Sequence, residues 1–184
     1  MSQIPPKIIA AKTVAKSRIF EIESLDLAFS NGVKTQYERL KSRRDGAVLI
    51  IPMLDDSTVL LIREYAAGVQ RYELALPKGK VEKNESLENA ANREIMEEVG
   101  YASKRITHLT TLSIAPGYLS HETHIMLARD LYPHKEEGDE PEPIEVVPWR
   151  LDQLNELTDM VECTEARSIA ALYLLRDKFI QNLI

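Results

Sequence analysis

The chain has 184 residues, a single cysteine, and 29 acidic against 23 basic side chains, a formal charge of −6. That length can bury the core of one domain plus a small appendage, while one thiol, Cys163, excludes an internal disulfide and any multi-cysteine metal site. The acidic balance without a basic block argues against nucleic-acid binding, and the longest nearly unbroken apolar run, Ala47–Leu54, is too short to span a bilayer. The N-terminus, MSQIPPKIIAAKTVAKSR, has scattered lysines and no apolar segment of the signal-peptide kind, so a cytoplasmic protein is expected. In chain order, Arg18–Phe29 shows a broken alternation of apolar residues and reads as a strand. Ser30-Asn31-Gly32 is a turn signal, and Val33–Leu40 is the returning strand of an antiparallel hairpin. Lys41–Asp45, short and charged, is the best boundary. Residues 1–45 are thus read as a β extension and residues 46–184 as the main domain.

The main domain should open with strands at Ala47–Leu54 and Thr58–Glu64, joined by an Asp55-Asp56-Ser57 turn. Leu74–Leu76 leads into Pro77-Lys78-Gly79. The clearest helix is Ser86–Val99: Leu87, Ala91, Ile95 and Val99 recur every four residues, Ser86 can cap it and Gly100 can end it. Arg105–Ile114 and His121–Leu131 read as strands around a loop at Ala115–Ser120. His134–Pro143 is an acidic, proline-containing loop, Ile144–Trp149 a further strand, and Leu151–Leu157 and Thr164–Leu183 closing helices. Strands interrupted by one helix, with helices at the end, imply an α/β sandwich with a mixed sheet.

The helix carries Glu94, Glu97 and Glu98 on one surface, and clustered carboxylates repel unless something compensates them. Arg93 can neutralise part of that charge; a hard divalent cation such as Mg²⁺, which favours carboxylate and phosphate oxygens, could neutralise the rest. From Gly79 to Tyr101 the chain reads GKVEKNESLENAANREIMEEVGY. This resembles the Nudix box, Gly-x5-Glu-x7-Arg-Glu-U-x-Glu-Glu-x-Gly-U with U bulky and aliphatic. Gly79, Glu85, Arg93, Glu94, Ile95, Glu97, Glu98 and Gly100 are all in register, and only Tyr101, aromatic where the pattern is aliphatic, departs.

The resemblance implies an α/β/α sandwich of the Nudix type and attack of water on one phosphorus of a diphosphate, dependent on Mg²⁺ or Mn²⁺. It makes Glu94 and Glu98 direct metal ligands and Glu97 a ligand or a neighbour of one. Arg93 and Glu85 would orient the cluster, and the Lys78 carbonyl is a further metal ligand. Outside the box, SIAPGYLS places Pro116 fifteen and Tyr118 seventeen residues beyond the box's end. The proline resembles ADP-ribose pyrophosphatases and the tyrosine resembles enzymes acting on diadenosine polyphosphates, where a ring stacks on adenine. Pro116, Gly117 and Tyr118 are therefore expected at the substrate, together with Arg63 as a phosphate-gripping guanidinium and Arg43 and Arg44 as contacts to diphosphate or ribose.

In the acidic loop, Glu140 competes with Glu97 for the role of general base, and Glu142 is expected near the substrate. The spacing of His121 and His124 points them to opposite faces of a strand, so no zinc site is expected there. Lys78 departs from the small residue usual before the box glycine in ADP-ribose pyrophosphatases. With the segments SRIFEIESLDLAFSNGVKTQYERL, LLIREYAAG and RYELALPKG, the likeness covers most of the chain and implies hydrolysis of ADP-linked compounds (ADP-ribose, NADH, diadenosine polyphosphates) to AMP. Relatives exchange such N-terminal segments between subunits, so a homodimer is expected. The alternatives are an ADP-ribose- or NAD-binding sensor without activity, and a Nudix hydrolase of nucleoside triphosphates or sugar nucleotides.

Overall fold

The computed structural model describes residues 4–42, 46–181 and 183. The chain divides into two compact units, Met1–Gly46 with Ser113–Glu122, and Ala47–Leu112 with Thr123–Ile184.

In the first unit β1 (Lys7–Lys16), β2 (Glu21–Ala28) and β3 (Lys34–Leu40) form an antiparallel sheet in that order. The expected hairpin is its β2–β3 half, and β1 is an additional strand. Arg18–Phe20, read from sequence as the start of a strand, instead lies in the turn before β2, where Ser17 N–H donates to the Phe20 carbonyl at 2.8 Å. The five residues between β2 and β3, 29–33, include Gly32 at φ +86° and Asn31, whose Oδ1 accepts from Val33 N–H at 3.0 Å. It is therefore a turn closed by a left-handed glycine, and not a two-residue Asn-Gly turn with positive φ at both positions. On β2 the buried Glu23 accepts from Arg39 at 2.7 Å and Lys41 at 3.2 Å, and the Arg39 hydrogen bond holds its carboxyl below the usual range. The segment Ser113–Glu122 is tied to the end of β3. Leu40 N–H donates to the Tyr118 carbonyl at 2.8 Å, and Ser42 N–H to Ser120 Oγ at 2.9 Å.

The second unit is built on β4 (Ala47–Pro52), which is buried throughout. β4 pairs parallel with β9 (Glu122–Pro133) and antiparallel with β7 (Lys78–Lys80), and β8 (Tyr101–Ser113) lies beyond β9, giving a mixed sheet. A second, antiparallel sheet has β5 (Thr58–Ala66) between β10 (Glu145–Arg150) and β6 (Arg71–Ala75). The alternation of β4 and β5 sorts the core into two layers. Val48, Ile50, Leu60 and Ile62 pack with Ala90, Ala91, Ile95 and Val99 of the α1 region (α1, Leu87–Glu98). Leu49, Ile51, Val59 and Leu61 pack on the other side with Leu154 and Leu157 of α2 (Leu154–Thr158) and with Ala171, Leu172 and Leu175 of α3 (Ala166–Ile180). Helices therefore cover both faces of the β layer, the expected α/β/α sandwich. The closing helices are shorter than their apolar pattern suggested: Leu151–Gln153 is a 3-10 turn, and α3 starts after Glu165, whose carboxylate accepts from Ser168 N–H at 2.8 Å.

Candidate active site

The α1 stripe formed by Leu87, Ala91, Ile95 and Val99 turns toward the sheet as expected, and Ser86 caps the helix by accepting from Asn89 N–H at 3.2 Å, worth about 1 kcal/mol. Docking that stripe turns Arg93, Glu94, Glu97 and Glu98 toward β7 and its flanking loop. At Gly79 of β7 a Cβ would stand inside the Glu94 carboxylate, so any larger residue here would displace that side chain. Arg93 is the hub. Its Nε and Nη2 donate to Glu85 at 3.0 and 3.2 Å, Nη1 to Glu94 at 2.8 Å and to Glu97 at 3.2 Å, and Nη2 also to the Lys80 carbonyl at 2.9 Å. These bonds, led by the one to Glu85, raise the guanidinium's affinity for its proton, and the same contact holds Glu85 below the usual carboxylate range.

Glu98 stands apart from the arginine. It is 6% exposed and accepts from Lys78 N–H at 3.0 Å, and burial pushes its carboxyl up to about 8. Burial also pushes Glu94 and Glu97 up against the pull of Arg93, and the charge of Glu140 adds to both shifts. The acidic loop reaches the cluster because its backbone is fastened to the end of α1. His134 N–H donates to the Gly100 carbonyl at 3.1 Å, and Glu136 N–H to that of Met96 at 3.2 Å. Glu140 thus lies within electrostatic range of Glu94 and Glu97. Glu142 is directed elsewhere, accepting from the Tyr72 hydroxyl at 2.6 Å on β6.

Among the described residues, no three His, Cys, Asp or Glu side chains are gathered closely enough to hold an ion as they stand. Glu94 and Glu97 are drawn to Arg93, and Glu98 to the Lys78 amide. The donor set nonetheless suits a hard divalent ion. Burial leaves the carboxylates short of compensating positive charge, and all the donors are oxygens on one helix face beside a glycine cradle.

The remaining expected site residues fall into three groups. Arg63 has both terminal nitrogens engaged, donating to Glu145 at 2.7 Å and Glu162 at 2.6 Å, so its guanidinium staples β5 to β10 and to the chain before α3. Pro116, Gly117 and Tyr118 sit in the N-terminal unit, with Tyr118 58% exposed. Arg43 and Arg44 lie outside the described residues. His124 shares a hydrogen bond with Thr111 Oγ1 at 3.0 Å, and His121 lies beside Ser42. The sequence reading passed over Glu64, which pairs with the Lys78 ammonium at 3.1 Å, and Tyr72. Neither falls in a motif. The one available signal for Glu64 was its position on the Leu60/Ile62 side of an alternating strand.

A mixed-sheet α/β/α sandwich whose central helix holds an arginine-centred glutamate cluster over a glycine is the architecture of one hydrolase class, and the chain belongs to the Nudix family: the NUDIX domain matches residues 43–173. It is a Nudix hydrolase, of a family that generally uses divalent metal ions. Within the family, residues 6–39 match the NudE-type Nudix hydrolase N-terminal domain. The chain is 47% identical over 172 residues to the ADP compounds hydrolase NudE of Escherichia coli (strain K12), covering 94% of this chain and 92% of that protein. It is 31% identical over 179 residues to the ADP-ribose pyrophosphatase of Bacillus subtilis (strain 168), covering 94% and 96%. A crystal structure of an ADP compounds hydrolase superposes with a TM-score of 0.91 at 45% identity, covering 99% of this chain and 98% of that one.

Proposed function

We propose that this protein hydrolyses the diphosphate of ADP-linked compounds, ADP-ribose, NADH and diadenosine polyphosphates among them, to AMP and a phosphorylated product. The observation that carries the reading is the pair of buried carboxylates, Glu94 beside Gly79 and Glu98 on the Lys78 N–H, with Arg93 holding Glu85, Glu94 and Glu97 in place. The names of the similar proteins supply the substrate class. Glu94, Glu98 and Glu97, with the Lys78 carbonyl, would hold Mg²⁺ or Mn²⁺, which when bound offsets phosphate charge and favours the hydroxide form of a water. Arg93 positions the glutamates and Glu85 positions Arg93. Glu97 and Glu140 are the two carboxylates assigned to take a proton from the attacking water, and the raised proton affinity of Glu97 supports giving it that task. The exposed ring of Tyr118 supports a stacking role toward adenine, with Pro116 and Gly117 shaping its loop, and Arg43 and Arg44 are assigned to phosphate or ribose.

We also propose a homodimer formed through the N-terminal sheet, supported by the exposed apolar side chains on β1. The functional test is product analysis with ADP-ribose, NADH, diadenosine triphosphate, UDP-glucose and dGTP in Mg²⁺ or Mn²⁺, with Glu98→Gln as control. AMP from the adenosine substrates, reduced at least ~100-fold in the variant, is the expected result. Turnover confined to UDP-glucose or dGTP would replace the ADP reading with one of the other Nudix hydrolase activities.

A further inference from the structure

A cavity of about 240 Å³ has walls that include Ala66, Ala75, Glu64, Glu73, Glu165 and Lys78, and Lys78 links it to the glutamate cluster through its backbone N–H to Glu98. Two of its carboxylates are already neutralised. Glu73 accepts from Thr164 N–H at 3.0 Å and is paired with Arg71, while Glu165 caps α3 and is paired with Arg167 at 2.7 Å. The third, Glu64, is paired with Lys78 Nζ at 3.1 Å, and their side chains are 41% and 27% exposed. A pair so open to water contributes little to stability. Lys78 is also the cavity-lining cation, and its own backbone N–H holds Glu98 at 3.0 Å. One residue thus fixes a carboxylate of the cluster with its main chain and extends an ammonium into the adjoining cavity.

The arginines around the cluster are committed more firmly. Arg93 serves Glu85, Glu94 and Glu97; Arg63 serves Glu145 and Glu162. Phosphate is a stronger ligand for a lysine than a half-exposed carboxylate is, because it presents several charged oxygens to a flexible point charge. We infer that the Lys78 ammonium is a diphosphate-binding group of this protein, leaving Glu64 for a non-bridging phosphate oxygen as substrate enters the cavity. Glu64 is then the resting counter-ion that keeps the ammonium aimed into the cavity. The assignment rests on the reading that ADP-linked diphosphates are the substrates, and it gives a side-chain function to the lysine that occupies the place before the box glycine.

The test measures AMP affinity by calorimetry on the full chain in chelator, and KM and kcat for ADP-ribose with Mg²⁺. Lys78→Gln is expected to weaken AMP about tenfold and to raise KM more than it lowers kcat, while Lys78→Arg stays within about threefold of wild type. Glu64→Gln, which removes the competing carboxylate, is expected to tighten AMP by about two- to fivefold. Adenosine, lacking phosphate, should bind wild type and Lys78→Gln alike. If Lys78→Gln keeps wild-type AMP affinity and KM while ADP-ribose is still cleaved, the Lys78 assignment is overturned and the hydrolase reading stands. If AMP binding depends on Lys78 but no ADP compound is cleaved, the phosphate site stands and the hydrolase reading falls. If wild type neither binds AMP nor cleaves ADP compounds, both fall.

Discussion

Gly79 lacks a side chain because the Glu94 carboxylate occupies the space one would fill. Gly79→Ala must therefore push Glu94 off its place beside Arg93 or shift β7. Displacements of this size cost about 10²-fold in rate, whereas overpacking costs about 1–3 kcal/mol of stability. The expected outcome is a folded variant, by near-UV dichroism, with kcat/KM lowered about 10²-fold; a variant of wild-type activity would show that Glu94 tolerates the move. Glu98 makes a second prediction at this scale. Below about pH 4.5, its unfolded value, folded and unfolded chains both hold its proton. Between there and about 8 the unfolded chain has released a proton that the folded chain keeps, so this group lowers stability progressively as pH rises, and its effect levels off above 8. Glu98→Gln removes the effect. In chelator, the stability of the variant relative to wild type should grow from pH 5 to pH 8 by a few kcal/mol, on the order of the linkage of a strongly shifted carboxyl, and then hold constant. Glu94 and Glu97 shift the same way and remain in both proteins, so the difference reports Glu98 and its coupling to Glu94. A difference that is flat with pH would mean that Glu98 is charged in the fold at all these values.

The elements divide by how openly their sequences declare them. α1 was legible to within a residue because its buried stripe repeats at helical period, its cap is a serine and its charged face matches a spaced pattern. β1 was not, since all ten of its residues are exposed and burial imposes no period on KIIAAKTVAK. What makes it a strand is pairing with β2, through two register shifts that no alternation rule anticipates. The acidic loop was legible as a loop, but not the divergence of Glu140 toward the cluster and Glu142 toward Tyr72, which depends on where β6 passes. Arg63 shows the same limit. A strand-end arginine facing phosphate and one facing two carboxylates look identical in sequence; the register of Glu145 opposite Arg63 and the approach of Glu162 supply the two carboxylate partners. As a staple between elements, it should contribute about 1–2 kcal/mol, because charged hydrogen bonds that are partly open to solvent are screened. Arg63→Met is therefore expected to lower the unfolding free energy obtained from urea titration by that amount, with a smaller change in KM for ADP-ribose than Lys78→Gln produces. A KM change exceeding that of Lys78→Gln would return Arg63 to the phosphate.

At the scale of the whole molecule, the N-terminal unit exposes apolar side chains that the proposed dimer would cover. Its three-stranded sheet leaves Ile8 and Ile9 57% exposed and Val14 48%, the turn before β2 leaves Ile19 62% and Phe20 57% exposed, and β1 is an edge strand without a partner on its outer side among the described residues. Ile8 and Ile9 adjoin the register shift between Ile8 and Ala10, and both expose apolar surface. A long apolar edge of this kind invites pairing with another chain unless charge or cover blunts it, and the lysines at positions 7, 12 and 16 blunt it only in part. Association of two copies through this sheet buries the exposed isoleucines and phenylalanine at roughly 25 cal/mol per Å² of apolar surface, enough to favour a dimer at micromolar concentration if several of them are covered. Sedimentation equilibrium of the full chain should give twice the single-chain mass, and Ile8→Glu with Ile9→Glu should give the single-chain mass. The variant should keep its fold in the second unit, whose core contains neither residue, so its far-UV dichroism is expected to stay close to that of wild type. A wild-type chain that sediments as a monomer across the micromolar range would remove the dimer and leave the apolar edge to be covered by something else.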